Sequence, residues 1–354
     1  MDDIAEQIEF VKKELRDLPH HKGTEHNIAR LRAKLARLKD RQIDALTPLR
    51  QGSAGRTAFG VRKQGDATIV LIGPPSAGKS TLINKITNAE SKVAPYSFTT
   101  VSVIPGMLIY NDAYIQILDV PGLIQGARMG KGRGKEVLSV ARASDLLIIM
   151  TDVERLDFIE TLKAELEESG IRINKEKPKV KIEKKVDGGL AVFSNIRQDL
   201  TQDMVKSIAQ EMGFKNGSIT LNEKVTMDQL IDSFSRSRVY IPAIFVINKI
   251  DENKAMEKEL KNNGYLTMSA QNDEDLVEFK QVVWKSLKFI KVNLIDSPII
   301  MKEGQTLFDL AIKIGTDFSE KYKTAKIWGS IARFPGQEVP LSTPLVEGLK
   351  IQFV

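Results

Sequence analysis

The chain is predicted to be α/β. An open parallel sheet carries a phosphate-type loop, with a helical hairpin before it, a small α+β unit inserted within it and a small separate domain after it. Three observations predict this. Apolar strand-like runs alternate with helical runs from residue 66 onward, as in a parallel sheet whose loops gather at one edge. A glycine-bounded loop, Gly73 to Ser80, joins the first of those strands to a helix. The alternation then breaks twice, between about 167 and 236 and again from about 291. A chain of 354 residues exceeds one compact core, so several domains are expected.

Residues 1–60 read as the hairpin. Ile4, Ile8, Val11, Leu15 and Leu18 recur at helical spacing. Residues 19–23 break the pattern, and Thr24 is placed to cap a second helix, where Ile28, Leu31, Leu35 and Leu38 form one stripe. Arg30, Arg32, Lys34, Arg37, Lys39 and Arg41 fill its other faces. They read as an ordinary solvated flank ahead of a basic surface for RNA or the ribosome. Residues 51–66 are rich in glycine and small side chains and read as a linker.

The central domain is expected over 66–166 and 237–290, with strands ATIVLIG, AYIQILDV, DLLIIMTD, IPAIFVINKID and YLTMSA. Between its halves, 167–236 reads as an α+β insert. There KVKIEKKVDGGLAVFS has an alternating half, a Gly-Gly turn and an apolar half, the pattern of a β-hairpin. A helix, the short strand SITLN and a second helix follow. Residues 291–354 form a strand, the helix TLFDLAIKIG and the strands TAKIWGS and LKIQFV.

Composition excludes several chemistries. The absence of cysteine rules out disulfides and thiolate metal sites. His20, His21 and His26 lie together without a carboxylate cluster, which favours a solvated turn over a metal site. No apolar run reaches the ~20 residues that span a bilayer. The acidic, amphipathic start MDDIAEQIEF is unlike a signal peptide, so a cytoplasmic monomer is the expectation. A net charge of +6 permits nucleic-acid binding without requiring it, and no element for reading DNA sequence stands out.

Gly73, Pro74, Pro75, Ser76, Ala77, Gly78, Lys79 and Ser80 fit GxxxxGK[ST] in the required place between strand and helix, with Thr81 next in the helix. Such a loop wraps its N–H groups around phosphates at a helix N-terminus. Lys79 supplies charge to the β- and γ-phosphates, and the Ser80 hydroxyl is a Mg²⁺ ligand. Asp119-Val120-Pro121-Gly122 closes an apolar strand; its carboxylate suits Mg²⁺ and the Gly122 N–H suits the γ-phosphate. Asn248-Lys249-Ile250-Asp251 decides the base. Asp251 can accept from guanine N1–H and N2–H₂, whereas adenine leaves that carboxylate unpaired. The Lys249 stem can lie over the base, and Ser269-Ala270 would bring a backbone N–H to guanine O6, with Gln271 following. A threonine completing the metal shell is expected in Tyr96-Ser97-Phe98-Thr99-Thr100; spacing does not choose between Thr99 and Thr100.

The ordered set GPPSAGKS, YSFTT, DVPG, NKID and SA resembles the Obg branch of translation-factor-type GTPases, and within it the developmentally regulated GTP-binding protein (DRG) family. FTT followed by IPG, the run GLIQGARMGKGRGKEVLSVAR and the insert before NKID extend the resemblance over nearly the whole chain. It implies an N-terminal helical domain, a GTPase domain, an S5D2-like insert and a C-terminal TGS domain of β-grasp fold. It implies GTP and GDP as ligands, with Mg²⁺ on Ser80, Thr100 and Asp119, and a first switch over Phe98 to Ser102. It also implies hydrolysis of GTP served by Lys79, Thr100 and Gly122, association with ribosomes and translation, and a stabilising protein partner. Pro74-Pro75 departs from the pattern, since many relatives carry a bulky residue before the proline.

Leu123 stands where Ras-like enzymes place a glutamine, so no side chain there can orient the attacking water. Ser76 lies where K⁺-activated relatives carry Asn or Ser, which makes K⁺ beside the phosphates the expectation. Slow turnover, about 10⁻⁴–10⁻² s⁻¹, follows for an unassisted enzyme. The other reading is a nucleotide-stabilised module for RNA or tRNA in which hydrolysis is incidental.

Overall fold

The computed structural model describes residues 2–19, 21, 23–46, 65–87, 94–95, 102–120, 133–295 and 297–354. Most of the expected linker and much of the glycine-rich run after DVPG lie outside these. Helices α1 (Asp2–Asp17) and α2 (Glu25–Leu46) form the hairpin. Ile8, Val11, Leu31 and Leu38 close the small core between them, as their spacing predicts. The Thr24 hydroxyl turns back to the carbonyls of Pro19 and His21, so its main-chain carbonyl, not its side chain, engages α2 through the Ile28 N–H.

The central sheet begins with β1 (Ala67–Ile72), buried at every position, which feeds α3 (Lys79–Ile86). Next come β2 (Ala94–Pro95), β3 (Ser102–Tyr110), β4 (Ala113–Asp119), α4 (Arg133–Ala143), β5 (Leu146–Asp152) and α5 (Asp157–Glu168). Fully buried strands need apolar residues on both faces, which explains the unbroken runs in β1 and β5. The sheet is mixed where a parallel one was expected. Strand β3 runs antiparallel to β4 because Asn111 and Asp112, with φ of 50° and 68°, make a two-residue turn too tight for any crossover.

The insert contains β6 (Ile171–Ile173), β7 (Val180–Lys184), β8 (Leu190–Ser194), α6 (Gln202–Glu211), β9 (Gly217–Leu221), α7 (Met227–Phe234) and β10 (Val239–Ile241). The hairpin expected of β7 and β8 does not form. Strand β9 lies between them, antiparallel to β7 and parallel to β8. Residues of β9 are mostly buried, as befits the central strand, whereas β7 and β8, at the edges, alternate between half-buried and exposed positions. Strands β6 and β10 pair, and Val239 N–H donates to Gly170 O at 3.2 Å, so the two ends of the insert run side by side.

The chain falls into two compact units, the first uniting the N-terminal helices with residues 170–240. Ala29, Ala33 and Ala36 of α2 share one core with Met204, Val205 and Ile208 of α6 and Leu230 and Ile231 of α7. Small residues at that spacing let helices approach closely. Arg37 donates to Glu211 O at 2.9 Å, and Arg238 and Arg172 both grip the buried Asp232.

In the second unit the central sheet resumes with β11 (Ala243–Asn248), α8 (Glu257–Asn262), β12 (Leu266–Thr267) and α9 (Asp273–Ser286). Its order among described strands is β12-β11-β5-β1-β4-β3-β2. The chain ends with β13 (Phe289–Leu294), β14 (Ser297–Lys302), α10 (Leu307–Ile314), α11 (Thr316–Lys321), β15 (Thr324–Trp328), β16 (Gln337–Pro340) and β17 (Lys350–Phe353). These strands order as β14-β13-β17-β15-β16, with parallel β13 and β17 at the centre. Phe289 and Ile300 of this part complete the core under the central sheet. Three lysines bind aspartates beside that sheet: Lys291 to Asp112, Lys302 to Asp145 at 3.1 Å and Lys313 to Asp66 at 2.9 Å.

Candidate nucleotide site

The carboxyl ends of β1, β4, β5 and β11 converge, because register pairs Leu71 with Asp119 and Asn248 with Asp152. That edge is where open α/β sheets bind ligands. The loop from Gly73 to Gly78 leaves β1 there and turns into α3. Two glycines are demanded by close approach. A Cβ on Gly73 would lie 2.1 Å from Met150 O, and Gly78, at φ 92°, would set one 2.1 Å from Asn248 Nδ2. Ser76 holds φ 63° without being glycine, a conformation that persists only where the surroundings fix it.

The loop carbonyls are held from outside. Lys79 Nζ donates to Gly73 O at 3.0 Å and Pro74 O at 2.9 Å. Asn248 Nδ2 donates to Ala77 O at 2.8 Å, while Asn248 Oδ1 accepts from Ala270 N–H at 2.9 Å. Asn248 is 2% exposed, so this bridge ties loop, β11 and the segment after β12 together in a dry place. Arg155 Nη1 donates to Pro75 O at 2.8 Å, and its Nε and Nη2 grip Asp152.

Beside the loop, Ser80 Oγ donates to Asp119 Oδ2 at 3.4 Å. The other oxygen, Asp119 Oδ1, is buried without a partner. Burial pushes the Asp119 carboxyl up from its ordinary range, opposed by the charge of Lys79 and the Ser80 hydrogen bond. Burial likewise pulls the Lys79 ammonium down; Asp119 opposes this and Arg155 adds to it. A desolvated carboxylate with one orphaned oxygen, next to a serine hydroxyl, is a donor set suited to a hard divalent cation. Asp152 behaves oppositely: hydrogen bonds from Arg155 hold its carboxyl below the ordinary range.

The residues expected to read the base occupy the turn after β11. Lys249 takes a left-handed φ of 59°, Ile250 is buried, and Asp251 is exposed on a 3₁₀ turn over Ile250–Glu252. The amides of Ser269 and Ala270 are both committed, to Asp275 at 2.7 Å and to Asn248, so neither is free to face guanine O6; they brace β11 instead. Gln271 is exposed. Val120 is buried, its N–H on Leu71 O. Ser102 opens β3. Phe98, Thr99, Thr100, Val101, Pro121, Gly122 and Leu123 lie outside the described residues. Sequence reasoning missed Asp152 and Arg155. Their signal was a charged pair three apart immediately after an apolar strand.

Comparison with known proteins gives the family and its domains. The family model described as "50S ribosome-binding GTPase" matches residues 68–185, one for the "C-terminal region of MMR_HSR1 domain" matches 187–289, and the "TGS domain" matches 290–354. A GTP-binding protein of Methanocaldococcus jannaschii is 39% identical, over 98% of this chain and 91% of that one. "Developmentally-regulated G-protein 3" of Arabidopsis thaliana is 36% identical, over 100% of this chain and 99% of that one. "Ribosome-interacting GTPase 1" of Saccharomyces cerevisiae is 34% identical, over 97% and 96%.

Proposed function

The chain belongs to the developmentally regulated GTP-binding protein family of GTPases, and on that premise we propose a slow, nucleotide-driven switch that acts on the ribosome. The single observation that carries the reading is the Asn248 bridge, which joins the phosphate loop to the base-reading turn. It makes triphosphate and base report to one rigid frame.

The loop turns into α3 at Gly78, and the helix N-terminus there favours an anion. Lys79, now shared between Gly73 O and Pro74 O, has its charge poised over the same loop. Asp251 accepts from the guanine N1–H and N2–H₂ edge, with the Lys249 stem against the ring. Ser80 and Asp119, with Thr100, would hold Mg²⁺, and the partnerless Asp119 Oδ1 supports that assignment. Such an ion would supply Lewis-acid stabilisation of charge on the phosphate oxygens. Leu123 offers nothing to the attacking water, so the remaining stabilisation falls to K⁺ near Ser76 or to the ribosome. The domains proposed are the helical hairpin over 1–60, the GTPase domain over 66–166 and 237–290, the S5D2-like insert over 167–236 and the TGS domain over 291–354. The relative named for ribosome interaction supports the choice of partner.

Co-sedimentation with ribosomes under GDP and under a non-hydrolysable GTP analogue tests the switch. Binding is expected to depend on the nucleotide; equal pelleting in both states sinks the proposal. Asp251→Asn tests base reading, with affinity expected to move from guanine to xanthine nucleotides.

A further inference from the structure

We propose that Arg155 is a positioning residue for the phosphate loop, holding the Pro75 carbonyl outward so that the Ser76 N–H faces the phosphates. The inference rests on the nucleotide site placed above and deepens it.

A trans peptide points its C=O and N–H in opposite directions. Whatever fixes the carbonyl of one loop residue therefore aims the amide of the next. Asn248 does this for Ala77 O and hence for the Gly78 N–H. Arg155 does it for Pro75 O, from just beyond the end of β5, and hence for the Ser76 N–H. The Lys79 ammonium holds the carbonyls of Gly73 and Pro74, and Arg155 takes the next one along, Pro75 O. Pro74 and Pro75 have no N–H to bond, and the turn bond from Ala77 N to Pro74 O is long at 3.4 Å. Ser76 at φ 63° needs outside support, and Arg155 grips the peptide immediately before it.

Arg155 is itself held. Asp152 is buried at the end of β5 and takes two guanidinium nitrogens, and the Arg155 carbonyl accepts from the Thr151 hydroxyl at 3.1 Å. Only a planar fork can grip a carboxylate through two nitrogens and still donate a third hydrogen bond to a carbonyl. Lysine can pair with Asp152 or reach Pro75 O, but not hold both in this geometry. The pair leaves little net charge beside the phosphates, so its contribution is orientation.

The test measures fluorescent-GDP affinity and dissociation rate for the full chain, with thermal unfolding of each nucleotide-free variant alongside. Arg155→Ala and Arg155→Lys are expected to weaken GDP by about tenfold through faster release, the scale of one charge-assisted hydrogen bond. Arg155→Lys keeps a cation on Asp152, so its unfolding midpoint stays near that of the unchanged protein. Adding Ser76→Gly to Arg155→Ala is expected to recover part of the loss, because glycine takes the left-handed turn without being held. Lys79→Ala reports on the site itself. If it abolishes binding while both Arg155 variants bind like the unchanged protein, the site stands and the role of Arg155 is overturned. Loss of affinity in Arg155→Ala without any recovery from Ser76→Gly also overturns it.

Discussion

Asp119 and Asp152 end β4 and β5, the two strands that flank β1, are both buried, and are pushed opposite ways. Asp119 is raised by burial, so the folded protein holds a proton there that the unfolded chain has released. Its contribution to stability is full in acid, below the unfolded value, and is lost as pH rises through the raised folded value. Asp152 is lowered by Arg155, so its contribution is present above the ordinary carboxylate range and is lost as pH falls through the folded value. Thermal midpoints across pH are expected to separate the two. Asp119→Asn flattens the decline on the alkaline side of that window. Asp152→Asn costs about 1–2 kcal/mol near neutrality, after allowance for partial exposure of Arg155, and that cost vanishes in strong acid. The residue that is destabilising for the fold is the one assigned to the metal, which is how functional carboxylates commonly stand. This asymmetry was invisible in the sequence. DVPG and the DVER that follows β5 look alike as strand ends, and only the neighbours of each carboxylate distinguish them.

Among elements, the loop and the strands feeding it were legible because each rests on a local rule. Largely apolar runs marked β1, β5 and β11, and the glycines at 73 and 78 fell where the Met150 carbonyl and the Asn248 side chain leave no room for a Cβ. Gly78→Ala is accordingly expected to cost at least about 1–2 kcal/mol from the left-handed backbone alone. Displacement of the Asn248 amide adds to that, and guanine-nucleotide binding should fall with it; denaturant unfolding and calorimetry measure the two. The failures were failures of pairing. A Gly-Gly turn between β7 and β8 suggested a hairpin, yet both glycines face open space and nothing in the turn sets register. Strand β9 (GSITL), a helix later in the chain and less apolar than β8 (LAVFS), holds the central, buried place, which composition does not foretell. The commitment of the Ser269 and Ala270 amides was equally hidden, since it depends on Asp275 a helical turn away and on Asn248 in another strand.

At the scale of the whole molecule, the second unit joins its C-terminal part to the central sheet through apolar and charged contacts. Phe289 and Ile300 fill the core, Trp284 meets Tyr110 and Phe289 edge to face, and three Lys–Asp pairs ring the contact. Asp66 and Asp145 precede β1 and β5, so these pairs sit at the opposite end of those strands from the nucleotide loop. Each is half exposed and contributes a few tenths to 1 kcal/mol. Replacing Lys291, Lys302 and Lys313 together by glutamate is expected to lower stability by about 1–2 kcal/mol at low salt. The difference from the unchanged protein should shrink as salt screens it. A triple variant whose deficit ignores ionic strength would remove the charges from the account.

The stitched termini of the insert carry a consequence for how this molecule could have been assembled. A segment that leaves and returns through adjoining backbones is a cassette: its removal opens only a short gap, and its replacement asks nothing new of the strands on either side. The alanine face of α2 is what anchors this particular cassette in place, so a foreign insert would have to bring its own partner for that helix or leave it bare.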